Sequence, residues 1–196
     1  PAASMNPRSL RCDGHKVPEL LDAILQLFPL DTFVEAPVTL MEVVPGTFAS
    51  EPPIWDEFRR IVDVFADETQ RYGIATQVGV TWSHTQGMVD RLRIASERGI
   101  LGAHIGHPYF MPMSPESYRA FWDDIQHAVP EWFGLIHYNT PRVHNYQTGP
   151  DYAKLLREIP NLIGTKHVSG NVPEFLTLQQ HAGELAHFTG EHALVP

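Results

Sequence analysis

The chain has 196 residues, 43% of them hydrophobic and 19% charged, enough for one domain with a sizeable core. A formal charge of −9 excludes the basic face that nucleic acid requires, and no apolar run approaches the roughly 20 residues that cross a bilayer. The lone Cys12 excludes an internal disulfide, and the N-terminus lacks the apolar centre of a signal peptide, so a soluble cytoplasmic protein is expected.

Residues 1–16 show no sustained period and read as an N-terminal arm or a truncated edge. Residues 17–196 read as one α/β unit. Val17, Leu20, Leu21, Ile24, Leu25 and Phe28 fall on one helical stripe that Pro29 ends. Leu40 to Val44 is a strand closed by Pro45-Gly46-Thr47. Phe58, Ile61, Val62 and Phe65 mark a second helix, and Ile74 to Val80 the next strand. Ser83-His84-Thr85-Gln86 has the capping-box pattern and predicts a helix with Met88, Leu92 and Ala95 inward. Ile100 to Gly106 is a strand running into His107-Pro108-Tyr109-Phe110. Ser114-Pro115-Glu116 caps a helix whose buried stripe is Tyr118, Phe121, Trp122 and Ile125. A strand over Trp132 to Tyr138 leads into Asn139-Thr140-Pro141-Arg142. A helix with Tyr152, Leu155, Leu156 and Ile159 follows, then the strand Asn161 to His167, a helix opened by Asn171-Val172-Pro173-Glu174, and a strand around Ala186 to Thr189.

Alternating strands and helices imply right-handed βαβ units on a parallel sheet. A flavodoxin-like open sheet and a (β/α)8 barrel both fit the alternation. No Gly-x-Gly-x-x-Gly or Walker loop follows a strand, which weighs against a nucleotide site. About six strand–helix pairs are present where a closed barrel has eight, so a barrel would be truncated at both ends.

In either architecture the chemistry sits at the carboxyl ends of the strands, where Thr47, Thr81, His107, Tyr109, Tyr138, Asn139, Lys166, His167 and Glu191 fall. Of the three lysines, only Lys166 is strand-borne. An amine among apolar groups loses solvation of its charged form and gains nucleophilicity. An amine, a phenol and a hydroxyl at three strand ends form a Schiff-base constellation: lysine makes an imine with a 2-oxo acid, tyrosine relays protons, and threonine passes the proton on or holds the carboxylate. That chemistry needs no metal and no organic cofactor. The plain alternative is a lysine that snorkels from a strand end into water. His104, His107, His137 and His167 raise a metal-dependent lyase or hydrolase as a rival, but alternation sets His137 opposite Tyr138 and His167 opposite Lys166, and no His-Glu-x-x-His spacing exists.

Gly46-Thr47-Phe48-Ala49-Ser50-Glu51, His107-Pro108-Tyr109-Phe110, Tyr138-Asn139-Thr140-Pro141 and Gly164-Thr165-Lys166, in this order and spacing, resemble the dihydrodipicolinate synthase / N-acetylneuraminate lyase family of class I Schiff-base aldolases. Thr189-Gly190-Glu191-His192 is similar to the family's Ser-Gly-Asp-Asp turn. The likeness runs from about Val17 to the C-terminus. It implies a TIM barrel holding about the second to seventh strands, a homotetramer, and a lyase (aldolase, dehydratase or hydratase-aldolase) acting on pyruvate or a related 2-oxo acid. By the same resemblance Lys166 forms the imine, Tyr138 relays protons, Thr47 is the relay threonine, and Phe48, Tyr109, Phe110, Asn139, Arg142 and Gly190 line the substrate. Phe48 stands where the family has a second carboxylate-binding threonine, Phe110 where the synthase has its second tyrosine, and Arg142 one position short of the carboxylate-binding arginine. These departures point away from the synthase itself and toward an aldolase or dehydratase with a bulkier partner, or toward a non-catalytic oxo-acid-binding member.

Overall fold

The computed structural model describes residues 38–40, 52–108, 111–141, 144–167 and 171–189. Its elements are β1 (Val38–Leu40), α1 (Pro52–Arg71), β2 (Thr76–Gly79), α2 (Thr85–Glu97), β3 (Gly102–Ile105), α3 (Pro115–His127), β4 (Gly134–Asn139), α4 (Gly149–Glu158), β5 (Leu162–His167), α5 (Val172–His181) and β6 (Ala186–Thr189). All strands are parallel, and each pairs with the next in sequence, in the order β1-β2-β3-β4-β5-β6. A flavodoxin-like sheet would reverse its strand order at a switch point. The unbroken order is that of six consecutive strands of a (β/α)8 barrel.

Helix formation follows local chemistry. Ser114 caps α3 by accepting from the Ser117 amide, with proline in the first turn, and Asn171 caps α5 by accepting from Glu174. At α2 the cap is His84, not the expected Ser83: the imidazole Nδ1 accepts from Gly87 N at 3.1 Å. Positive φ at Gly73 and Gly99 turns the chain from α1 and α2 into the next strand, a conformation in which a Cβ would be strained. β1 is described at Val38–Leu40 and meets the expected Leu40-to-Val44 strand at Leu40; residues 41–51 and the Val17-to-Phe28 stripe lie outside the described residues.

The helices cover one side of the sheet. Phe58, Ile61, Val62 and Phe65 of α1, Met88, Leu92 and Ala95 of α2, Phe121, Trp122 and Ile125 of α3, and Tyr152 and Leu155 of α4 are buried in one cluster with Val78, Ala103, Ile105 and Leu135 of the strands. Arg91, buried within α2, lies over the rings of Trp82, Phe58 and Trp55 at 4.1, 4.7 and 5.8 Å and donates to the Thr81 carbonyl. Aromatic faces stabilise its charge there.

One irregularity in the sheet decides the site. Leu135 pairs with Leu162, but Ile136 pairs with Gly164, so Ile163 is an extra residue in β5. Counting from Leu162, regular alternation would send Lys166 to the helix side. The bulge resets the phase: Lys166 pairs with Tyr138, and both lie on the face away from the helices.

Candidate active site

Lys166 and Tyr138 are the centre of the inner face. They are register partners on β5 and β4, and Lys166 Nζ lies 4.5 Å from the centroid of the Tyr138 ring. The ammonium on the ring face is a cation–π contact, which holds the amine beside the phenol before anything binds. Lys166 is half-buried, so the amine is neither lost in the core nor extended freely into water. Thr81, at the end of β2, accepts from the Gly106 amide at 2.8 Å through its hydroxyl, which ties the ends of β2 and β3 together.

Asn139 has a different task from the expected substrate contact. Alternation turns its side chain to the helix side, where it is fully buried. Its amide donates to the Gln147 carbonyl at 2.7 Å, its carbonyl accepts from Gln147 N at 3.0 Å, and His167 Nε2 lies 3.3 Å away. These bonds close the loop after β4 onto the strand end. Asn139 is therefore a loop anchor in this structure.

The four histidines separate as alternation requires. His137, His107 and His167 lie on the helix side, on the face opposite Tyr138 and Lys166. His137 Nδ1 shares a hydrogen bond with the Tyr152 hydroxyl, and His137 Nε2 lies 3.2 Å from His107 Nδ1. With the Tyr152 hydroxyl donating, His137 carries its proton on Nε2 and donates to His107, which leaves the His107 proton on Nε2. Phe121 and Trp122 flank His107 with ring centroids at 5.2 and 5.6 Å. His167 Nδ1 meets the Tyr146 hydroxyl at 3.4 Å, and that hydroxyl donates to Glu174 at 3.0 Å.

Burial sets the charge of this network. It pushes His107 down to about 4, against a smaller upward pull from the Asn145 backbone carbonyl. Burial, then the neighbouring His107 and His167, holds His137 well below the usual imidazole range. Burial and His187 lower His167 to about 4, with Glu174 opposing. Burial also raises the Tyr152 phenol well above its ordinary range. These imidazoles and the Tyr152 phenol are therefore held neutral at physiological pH and act by hydrogen bonds.

His104 is on the other side. Its ring meets Tyr138 edge-on at 6.2 Å, and burial, helped by the charge of Lys166, pushes it down to about 4. With one histidine inside and three outside, the set does not converge on one ion. Among the described residues no group of three or more His, Cys, Asp or Glu side chains is arranged to hold a metal. Sequence reasoning weighed His104 only as a metal ligand; its parity with Tyr138 across neighbouring strands was the signal that placed it inside. Thr47, Phe48, Tyr109, Phe110, Arg142 and Gly190 lie outside the described residues. No helix among the described residues is long and apolar enough to cross a membrane.

Comparison with known proteins adds two kinds of likeness. The chain is 28% identical over 141 residues to 4-hydroxy-tetrahydrodipicolinate synthase of Thermus thermophilus, a match covering 71% of this chain and 44% of the relative. It is also 42% identical over 67 residues to human fucose mutarotase, covering 32% of this chain and 44% of that protein. A crystal structure of dihydrodipicolinate synthase superposes with a TM-score of 0.72 at 14% identity, covering 91% of this chain and 58% of the other, and supports the barrel fold. The chain spans about half the length or less of the curated relatives it matches. The profile of the Dihydrodipicolinate synthetase family matches residues 55–196, a shorter span than the expected start near Val17, and leaves Thr47 and Phe48 outside. Through that match the chain belongs to the dihydrodipicolinate synthetase family.

Proposed function

We propose that the chain carries the active centre of a lysine Schiff-base lyase acting on pyruvate or a related 2-oxo acid. The observation that carries this reading is the pairing of Lys166 with Tyr138 on the inner face, with Nζ 4.5 Å from the ring centroid. Neutral Lys166 attacks the oxo carbon and forms a carbinolamine; Tyr138 delivers a proton to the hydroxyl, which leaves as water, and the imine remains. The protonated imine nitrogen then takes up the electron pair when a bond at the neighbouring carbon breaks, and returns it through the enamine when one forms. Water reverses the first stage and frees the product. In this reading Thr47 relays the phenol's proton, and Phe48, Tyr109, Phe110, Arg142 and Gly190 shape the mouth. The reaction uses no cofactor, and the protein is a cytoplasmic homo-oligomer, a tetramer by analogy with the family.

The test is borohydride reduction in the presence of pyruvate and of larger 2-oxo acids, followed by peptide mass spectrometry. The expected result is a reduced adduct on the Lys166 peptide that is absent in Lys166→Met. Folded protein that traps none of these acids would overturn the lyase reading and leave a non-catalytic family member.

A second reading concerns residues 1–54. They lie outside the family match, and the fucose mutarotase likeness covers 32% of the chain for the human protein and 29% for the bovine one, somewhat more than these residues alone. We infer that they form a mutarotase-like segment joined to the family segment. On this reading Thr47 plays no part in the lysine site. Thr47→Val separates the two: unchanged trapping at Lys166 supports a joined segment, and a loss of trapping in folded protein restores the relay.

A further inference from the structure

Phe188 stands beside the reacting amine, and the mechanism above does not use it. Lys166 of β5 pairs with Phe188 of β6, and register partners put their side chains on the same face of a sheet. Tyr138 and Phe188 therefore flank Lys166 on its two sides, in one row across β4, β5 and β6. Alternation along β6 agrees. His187 turns to the helix side, where it meets the Thr165 hydroxyl and the Ala182 carbonyl, and this leaves Ala186 and Phe188 on the inner face. The phenyl ring reaches down over Gly164, one layer below the amine: its Cε2 lies 3.5 Å from where a Cβ on that glycine would stand. Lys166 Nζ leans the other way, over the Tyr138 ring. The Phe188 flank of the amine is open to solvent, with Phe188 37% exposed and Ala186 exposed beside it.

A single exposed aromatic ring is ordinary on a protein surface, but this one is fixed by strand register next to the amine. The carbon that Lys166 attacks carries two substituents, the carboxylate and the carbon chain of the acid. An apolar ring and a methyl group offer the carboxylate no hydrogen bond, whereas a carbon chain laid on them leaves water. We propose that Phe188 is a specificity-determining residue of the lysine site, its exposed ring packing against the carbon chain of the 2-oxo acid held at Lys166. This rests on the lysine reading above and narrows its substrate class to 2-oxo acids with an apolar chain longer than the methyl of pyruvate. Ala186, small and exposed on the same strand, extends the floor on which that chain lies.

The experiment is borohydride trapping on the full chain at pH 7.5, reading the adduct on the Lys166 peptide against concentration series of pyruvate, 2-oxobutyrate and 2-oxovalerate. Each methylene laid on the ring should lower the half-saturating concentration about 2–4-fold, so 2-oxovalerate should need about 4–15-fold less than pyruvate. Phe188→Ala removes the ring and should flatten that gradient to about 2-fold or less. Phe188→Leu keeps an apolar group and should restore most of it. The acids' own reactivities are the same for parent and variant, so the difference between the two gradients reports the ring alone. A folded Ala variant with the parent's gradient overturns the proposal, even if its melting temperature falls, because that is the signature of a ring that only packs. Should the Ala variant not fold, Phe188→Thr, a residue suited to a strand, takes its place, and the parent's gradient in that variant overturns the proposal equally. Adducts that form in the parent without any gradient remove the role of Phe188 and leave the lysine reading standing. If the folded parent traps no oxo acid at all, the lysine reading fails and the role of Phe188 fails with it.

Discussion

Acidification is expected to unfold this protein between pH 6.5 and 4, through its buried histidines. His104, His107 and His167 each titrate at about 4 in the folded chain against an ordinary value of 6.5. The unfolded chain takes up protons at these positions as the pH falls through 6.5, whereas the folded chain refuses them until about 4. Stability is therefore complete above pH 6.5, declines as the pH drops, and stops declining on this account near pH 4. One pKa unit corresponds to 1.36 kcal/mol, so at pH 5 each group has removed about 2 kcal/mol and the three together about 6. A domain is stable by roughly 5–15 kcal/mol, so even half that loss brings it near its midpoint. The assay is urea unfolding followed by far-UV circular dichroism at half-unit steps from pH 7.5 to 4.5. The midpoint should hold above pH 6.5 and then fall steadily. His107→Phe, placed among Tyr118, Phe121 and Trp122, should begin from a lower midpoint because His137 loses its Nε2 partner, yet lose less between pH 7 and 5. A parent midpoint that stays constant from pH 7.5 to 5 would refute the reasoning.

Other consequences follow from single contacts. Gly102→Ala puts a Cβ 2.6 Å from the Gly134 carbonyl, a backbone atom that cannot swing away, and should cost about 1–3 kcal/mol in urea melts. Gly134→Ala meets only the tip of the Ile163 side chain and should cost less than Gly102→Ala; the reverse order would show that the strands yield more easily than the side chain. Tyr152→Phe removes the hydroxyl that pairs with His137 and should lower stability by about 1–3 kcal/mol without abolishing the Lys166 adduct. Asn139→Ala frees the loop after β4 from Gln147, and limited proteolysis should then cut within residues 140–147 faster than in the parent. Equal cutting rates would show that the loop is held elsewhere.

Much of the fold was legible because its signals are local. Apolar residues at helical spacing placed Phe58 to Phe65, Met88 to Ala95 and Phe121 to Ile125, and all of these are buried. Strand ends were read too generously: Trp132, expected to open β4, is 57% exposed, and the strand begins at Gly134. Hydrophobicity alone does not mark where a ladder begins. Capping by His84 was missed because Ser83 satisfies the same pattern one residue earlier. Lys166 and Tyr138 were legible as strand-end residues, and His137 and His167 as their opposite faces. The bulge at Ile163 was not legible, because an extra residue is defined by the partner strand rather than by its own neighbours. The same is true of Asn139, whose partners on residue 147 depend on the course of a loop.

Trp122 gives this protein a built-in optical reporter. Its indole meets both His107 and His137 edge-on, at 5.6 Å each, and it is buried. A protonated imidazole draws excitation from a neighbouring indole far more effectively than a neutral one. Because the folded chain refuses that proton until about pH 4, Trp122 should hold its emission while the chain is folded and change only as acid unfolds it, whereas the already exposed Trp132 keeps its colour. The loss of the strands' hidden packing in acid can thus be followed by light, without a label, beside the circular dichroism.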